Sequence, residues 1–308
     1  MGTGYGPIST EAAWQKAEFV DKFLARQLSN GSVSLVLGAG ASMGFQLPSW
    51  DDLVKRMYRS QGERLPTKRR SAPELSESLK SKHFDGKELA FSQLVRDCLY
   101  KKLGNDPASV LSSPLLQAVG SFLVSSMRGR AGSLISFNFD DLVETYLRLL
   151  GFVVRSEPTA PYWTVNADMQ VLHPHGMLPQ DTSKPCTGLV FTAGDYDRVI
   201  GQDSDAWNQS MKSVLAGTTP LFVGLSGDDQ RMRTLLTQVK AIHPALVRES
   251  HRYWAVRPTV AGEDESNVDR WRKMGVAPRK LSSYDEIPAW LLSICQRAAA
   301  SAATPGMQ

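Results

Sequence analysis

Four short runs carry the groups that could do chemistry. Gly38-Ala39-Gly40-Ala41-Ser42 follows an apolar stretch. Its two glycines let the chain turn tightly and bring backbone N–H groups up to a phosphate, and Ser42 adds a hydroxyl for a phosphate or ribose. Ser136-Phe137-Asn138-Phe139-Asp140 sets an amide and a carboxylate on alternate residues. An amide there can hold a water or a ribose hydroxyl, and a carboxylate can bind a carboxamide or ribose. Asp140 and Asp141 are also good residues to start a helix. His173-Pro174-His175-Gly176 holds two of the five histidines, and imidazole is the side chain best suited to proton transfer near neutral pH. Gly224-Leu225-Ser226-Gly227-Asp228-Asp229 ends an apolar run in Gly and Ser. Gly224 and Ser226 suit contact with a nucleotide, whereas Asp228 and Asp229 also serve as helix caps.

Within the histidine run, Pro174 fixes the intervening φ, and an extended segment would point both imidazoles to one side of the chain. His175, directly before a glycine, is the candidate base. His173 fits a satisfied core histidine better. Neither Cys nor acid lies close enough in sequence to complete a ligand set, so no metal is expected.

The elements that must hold these runs can be read from periodicity. Residues 10–29 read as an amphipathic helix with Thr10 as its cap and Asn30-Gly31 as its stop. Residues 32–37 read as a buried strand leading into the glycine turn. From 50 to 130 the pattern is helical, with candidates at 51–59, 89–103 and 113–127. Between them, 61–87 looks like an exposed loop carrying the basic run Lys68-Arg69-Arg70, a solvated surface. Strands are expected at 133–137, 170–172, 188–192, 220–224 and 252–256, and helices at 142–150, from about 193, at 229–241 and at 285–297. Short apolar strands alternating with helices, with reactive residues just past strand ends, predict an α/β fold. This is a Rossmann-like parallel sheet with helices on both faces plus a helical insert subdomain at 50–130. Residues 298–308, rich in Ala, Ser and Thr, read as a disordered tail. The whole of 1–308 reads as one domain.

Composition narrows the classes. The chain has 308 residues, 42% hydrophobic and 21% charged, as in a soluble globular protein. With 35 Lys and Arg against 31 Asp and Glu, the net charge of +4 disfavours a dedicated nucleic-acid binder. Three cysteines, Cys98, Cys186 and Cys295, are too few and scattered for a disulfide framework or a four-cysteine zinc site. The first 30 residues contain Glu11, Lys16, Glu18, Asp21 and Lys22, so no secretory signal is read there. No uncharged apolar run approaches a membrane span. A cytoplasmic protein is expected.

In this order, the four runs resemble the motifs of the sirtuin family. That family's NAD-binding fold carries a G-A-G-x-S turn, a T-x-N-x-D segment, an H-G pair and a G-x-S turn. The counterparts here are Gly38 to Ser42, Ser136 to Asp140, His175-Gly176 and Gly224-Leu225-Ser226. The departures also inform. Where deacylase sirtuins continue toward S-G-I-P-D-F-R, this chain reads Met43-Gly44-Phe45-Gln46-Leu47-Pro48, and both C-x-x-C pairs of their zinc module are missing. With the helical segment between its first two motifs, the chain looks like the bacterial sirtuin-like effectors of anti-phage defence, found in Thoeris, in short Argonaute systems and beside HerA-type ATPases. Asn138-Phe139-Asp140-Asp141-Leu142, Asp195-Tyr196 and the Ser-x-x-Asp ending at Asp229 also look like that branch.

The resemblance implies an NAD+ hydrolase that cleaves the nicotinamide–ribose bond without a metal, as the effector of an abortive-infection system. It implies Asn138, His175 and Asp140 as catalytic residues. Gly38, Ala39, Gly40, Ser42, Gly224, Ser226 and Asp229 would contact NAD+, which is a substrate here. It also implies a homo-oligomer gated by a separate sensor from the same operon, whether a HerA-like ATPase, an Argonaute or a nucleotide-processing enzyme. No membrane and no direct nucleic-acid contact are expected. Two other readings stand beside it: a non-catalytic sensor of NAD or an ADP-ribose-type nucleotide, and an NAD-dependent protein deacylase.

Overall fold

The computed structural model describes residues 11–68, 70–103, 107–124, 133–157, 167–186, 188–200, 206–242 and 253–302. The chain opens with α1 (Glu11–Trp14), α2 (Ala17–Ser29) and β1 (Val33–Leu37). The helices α3 (Trp50–Ser60), α4 (Ala72–His83), α5 (Glu88–Tyr100), α6 (Pro107–Leu111) and α7 (Pro114–Val124) follow. Next come β2 (Ser133–Ser136), α8 (Leu142–Leu149), β3 (Val154–Glu157) and β4 (Met169–Leu172). After these lie α9 (Ala193–Ile200), α10 (Ala206–Gly217), β5 (Thr219–Val223) and α11 (Gln230–Ile242). The chain ends with β6 (Ala255–Val260), α12 (Glu265–Lys273), β7 (Val276–Leu281) and α13 (Ile287–Ala302).

The seven strands form one sheet in the order β3-β4-β2-β1-β5-β6-β7. Pairing is parallel where β3 meets β4, where β5 meets β6 and where β6 meets β7, the last in register from Ala255–Val276 to Val260–Leu281. This is the expected α/β, Rossmann-like sheet, with the strand order reversing at β1. β1 and β5 are buried at every residue. Such uninterrupted apolar runs are what a parallel strand covered on both faces requires.

The chain divides into two compact units. One comprises 1–36, 114–134 and 211–308, and the other 37–113 and 135–210. In the first, Trp14 packs edge-on against Phe19, Phe23 and Tyr253, and Arg279 and Trp290 both bind the Asp21 carboxylate at 2.8 Å. In the second, Trp50, Phe91, Phe139 and Phe191 form an aromatic core beneath the helices.

Several expected boundaries move. The single helix at 10–29 is two, because Lys16 takes extended backbone between them. Asn30 caps α2 and Gly31 follows at φ +66°, as the stop signal predicted; Thr10 lies outside the described residues. The expected loop at 61–87 contains α4. Ser71 caps it, accepting from Glu74 N–H, while the Glu74 carboxylate takes the Ser71 N–H at 2.7 Å. That reciprocal pair starts a helix on its own.

Residues 188–192 form no strand, and Gly188 takes φ +64°. Val190 N–H goes to the His175 carbonyl, and the Phe191 and Thr192 N–H groups go to the Asp195 carboxylate. The donors a ladder would need are spent on a loop and a helix cap. β6 starts at Ala255 rather than 252, with Trp254 N–H still bound to the Gly275 carbonyl just before it; Arg252 lies outside the described residues. Residues 298–302 continue α13, and the rest of the expected tail, like 125–132 and Arg69, lies outside them as well.

No described helix is long and apolar enough to cross a membrane. The three cysteines are free thiols.

Candidate functional site

The carboxyl ends of parallel strands are where α/β sheets bind ligands. After β1 the chain makes a tight 3-10 turn, closed by Ala41 N–H to Gly38 O at 2.8 Å and Ser42 N–H to Ala39 O at 3.0 Å. Gly38 has φ −130°, and Gly40 does not adopt positive φ. Glycine is therefore not needed here for left-handed backbone. Ala39 and Gly40 are exposed on the outside of the turn, while Gly38 and Ser42 are buried. The remaining reason for small residues is close approach of another group to the backbone.

After β2, Phe137 N–H pairs with Leu37 O at 2.9 Å, which brings the next residue onto the glycine turn. The Asn138 side chain donates to Gly38 O and to Ser42 Oγ, each at 3.0 Å. Both amide hydrogens are thereby committed, which leaves Oδ1 as the acceptor to be used. The Ser42 hydroxyl passes the chain on to the Asp140 carboxylate, which also accepts the Leu142 N–H at 3.3 Å. Burial pushes the Asp140 carboxyl up to about 6, with Glu144 and Asp141 nearby adding to the rise and the Ser42 and Leu142 hydrogen bonds opposing it. A carboxylate this easily protonated is one whose charge the surroundings do not neutralise. It suits a place where positive charge develops.

After β4, residues 173–176 form a turn rather than an extended segment. Gly176 N–H bonds His173 O at 2.9 Å, with Gly176 at φ +83°. The two imidazoles accordingly part company. His173 is completely buried and lies between Asn138 O at 3.2 Å and Glu144 Oε1 at 2.5 Å. It is the satisfied core histidine that its position in the sequence suggested.

His175 is 1% exposed and sits in an aromatic box. Its ring lies 5.1 Å from Phe137, 5.5 Å from Tyr196 and 5.8 Å from Trp50, with Phe139 beyond at 6.2 Å. Phe137 and Phe139 flank Asn138 in the chain, so the box and the amide share one strand end. Nε2 of His175 meets the Tyr196 hydroxyl at 3.3 Å. Trp50 Nε1 is buried without a hydrogen-bond partner, a donor left for whatever enters.

Sequence reasoning missed Trp50, Phe191 and Glu144. Trp50 opens α3 behind the Ser49 cap, and nothing in its spacing marks it as a wall of the box. Asp195, part of a run singled out with Tyr196, is a helix cap held to Thr192 at 2.8 Å.

Gly224 to Asp229 lie in the other unit. Gly224 takes φ +75° and Gly227 φ +84°. Ser226 is exposed and accepts the Asp228 N–H at 3.4 Å. Asp229 caps α11 through Met232 N–H at 2.7 Å, and Asp228 pairs with Arg270 at 2.7 Å. Asp229 thus has the capping role its type suggested, and Asp228 serves in an ion pair.

Among the described residues, no group of three or more His, Cys, Asp or Glu side chains is placed to hold a metal ion.

Residues 132–278 match the family model of the SIR2-like domain. SIR2-like domains bind NAD, and many are NAD-dependent enzymes. The matched stretch contains Asn138, Asp140, His175, Gly224, Ser226 and Asp229. The glycine turn lies outside it, yet Gly38 and Ser42 are tied to Asn138 by the two hydrogen bonds above. The matched stretch is thus joined to the turn after β1 that precedes it. No curated protein matches the chain.

Proposed function

We propose that the chain is an NAD+ glycohydrolase that releases nicotinamide and ADP-ribose. The observation that carries this reading is the locked amide of Asn138 within a SIR2-like domain. With both N–H groups held, Oδ1 is oriented to accept a hydrogen bond from a water or a ribose hydroxyl. A group that only bound nucleotide would not need that constraint.

In this reading the C1′–nitrogen bond to nicotinamide breaks, and the ring leaves neutral with the bonding pair. The oxygen of a water held by Asn138 bonds to C1′, and its proton passes to His175. Asp140 holds the nicotinamide ribose and favours the positive charge that develops on it. Trp50 Nε1 and the surrounding rings suit a flat aromatic group bearing a carboxamide. Gly38, Ala39, Gly40 and Ser42 would take the pyrophosphate. Gly224, Ser226 and Asp229 would be further nucleotide contacts.

The near-complete burial of His175 favours a second reading, an NAD sensor that does not cleave. Incubating the purified chain with NAD+ and measuring nicotinamide separates the two. Nicotinamide and ADP-ribose in equal amounts support hydrolysis. NAD+ bound but recovered intact supports the sensor.

We further propose that this activity serves a bacterial anti-phage effector, cytoplasmic and homo-oligomeric, gated by a separate protein of the same operon. The support is the motif set and its departures from the deacylases. NAD+ loss in cells co-expressing the neighbouring genes, with and without phage, tests it.

A further inference from the structure

Glu144 and His173 form a pair with almost no access to water, at exposures of 1% and 0%, and the hydrolysis scheme uses neither. Burying two ionisable groups is costly, so such a pair calls for an explanation.

Its hydrogen-bond partners supply one. His173 Nδ1 faces Asn138 O at 3.2 Å. A backbone carbonyl can only accept, so Nδ1 must carry a hydrogen. Nε2 faces Glu144 Oε1 at 2.5 Å. Glu144 is itself held by the Ser156 hydroxyl at 3.1 Å, which ties α8 to β3. The Asn138 residue is thus gripped twice. Its amide is held by Gly38 and Ser42, and its carbonyl by His173.

We propose that the Glu144–His173 pair is the positioning device for Asn138. His173 Nδ1–H fixes the peptide plane at the end of β2, so that the Asn138 amide reaches both acceptors and presents Oδ1 in one orientation. Burial alone would make His173 less basic and Glu144 less acidic. The attraction between them reverses both directions.

His173 and Glu144 are positioning residues; neither is placed to touch the substrate. The kinetic consequence rests on the NAD+ hydrolysis reading, whereas the hydrogen bond itself does not. Two measurements keep these apart. The first is nitrogen-15 NMR of the histidine rings and of the Asn138 side-chain amide in the wild-type chain. His173 Nδ1 should carry a proton throughout the neutral range, and the Asn138 amide protons should exchange slowly. An unprotonated Nδ1 overturns the proposal whatever the activity. The second is NAD+ turnover by His173→Phe and Glu144→Gln. His173→Phe should lower kcat about ten-fold or more with little change in KM, the size expected when the outer partner of a reacting group is lost, and should speed exchange of the Asn138 amide. Glu144→Gln can donate to Nε2 and leave Nδ1–H on Asn138, so it should keep most of the turnover. A folded His173→Phe with wild-type kcat and an unchanged Asn138 amide overturns the proposal. If His173→Phe does not fold, the wild-type ring spectrum decides. A wild-type chain that leaves NAD+ intact contradicts the hydrolase reading, and the NMR result still decides the clamp.

Discussion

Asn138 and Ser42 lie 96 residues apart and meet at 3.0 Å, amide nitrogen to hydroxyl oxygen. Ser42 accepts from Asn138 and donates onward to Asp140. One hydroxyl therefore sets the orientation of the amide and shares the charge of the carboxylate.

Ser42→Ala should separate these roles from the fold. It leaves a buried amide hydrogen without its acceptor and a buried carboxylate without its donor, each a loss of about 1–3 kcal/mol. We expect the variant to fold with a lowered melting temperature and to turn over NAD+ at least about ten-fold more slowly. Steady-state kinetics beside a thermal melt check this. Wild-type turnover would remove Ser42 from the site.

Asp140 makes stability depend on pH. Its carboxyl titrates near 6 in the folded chain, against an ordinary value of 3.8. Between these values the folded state binds more protons than the unfolded state, so the stability of the native protein falls as pH rises from 3.8 to about 6. Asp140→Asn cannot ionise and still accepts from Leu142 N–H. It should melt above wild type at pH 8, by up to about 3 kcal/mol, and the advantage should shrink toward pH 4. Activity should fall at both. An Asn variant that is less stable than wild type at pH 8 contradicts the assigned environment.

Gly227 is needed for two reasons. It takes φ +84°, and an added Cβ would stand 2.6 Å from Trp271 Nε1. Gly227→Ala should destabilise by more than the roughly 1–2 kcal/mol that left-handed backbone alone costs a residue with a Cβ. Chemical denaturation measures it. A loss below that value would mean the Trp271 ring moves aside freely.

The helix at 72–83 should depend on its capping box. Ser71→Ala removes the acceptor for Glu74 N–H and should cost about 0.5–2 kcal/mol. Hydrogen exchange along α4 would show the loss localised to its first turn. Uniform exchange in variant and wild type would contradict the capping role.

Both strands that periodicity failed to reveal are the sheet's edges, β3 and β7. Their sequences, Val-Arg-Ser-Glu and Val-Ala-Pro-Arg-Lys-Leu, carry charges and a proline that edge strands tolerate and that break up the apolar run by which a buried strand is read. The internal strands β1, β2, β4 and β5 were legible because burial on both faces demands continuous apolar runs. In the site, Asn138, Asp140 and Ser42 could be placed together because each ends or follows a strand. The aromatic box could not, since Trp50, Phe191 and Tyr196 come from α3, a loop and α9, and only folding sets them round His175. The histidine turn was not legible either, because Gly176 closes it with a backbone bond that spacing does not reveal.

The central claim is that Asn138 and His175 together cleave NAD+. The most direct test is nicotinamide release from NAD+ by the wild-type chain, by Asn138→Ala and by His175→Ala, each shown folded by its melt and assayed with the co-encoded partner where the isolated chain is silent. The account predicts release by wild type and loss of turnover in both variants. Undiminished release by either variant, or none from wild type in any state, would contradict it.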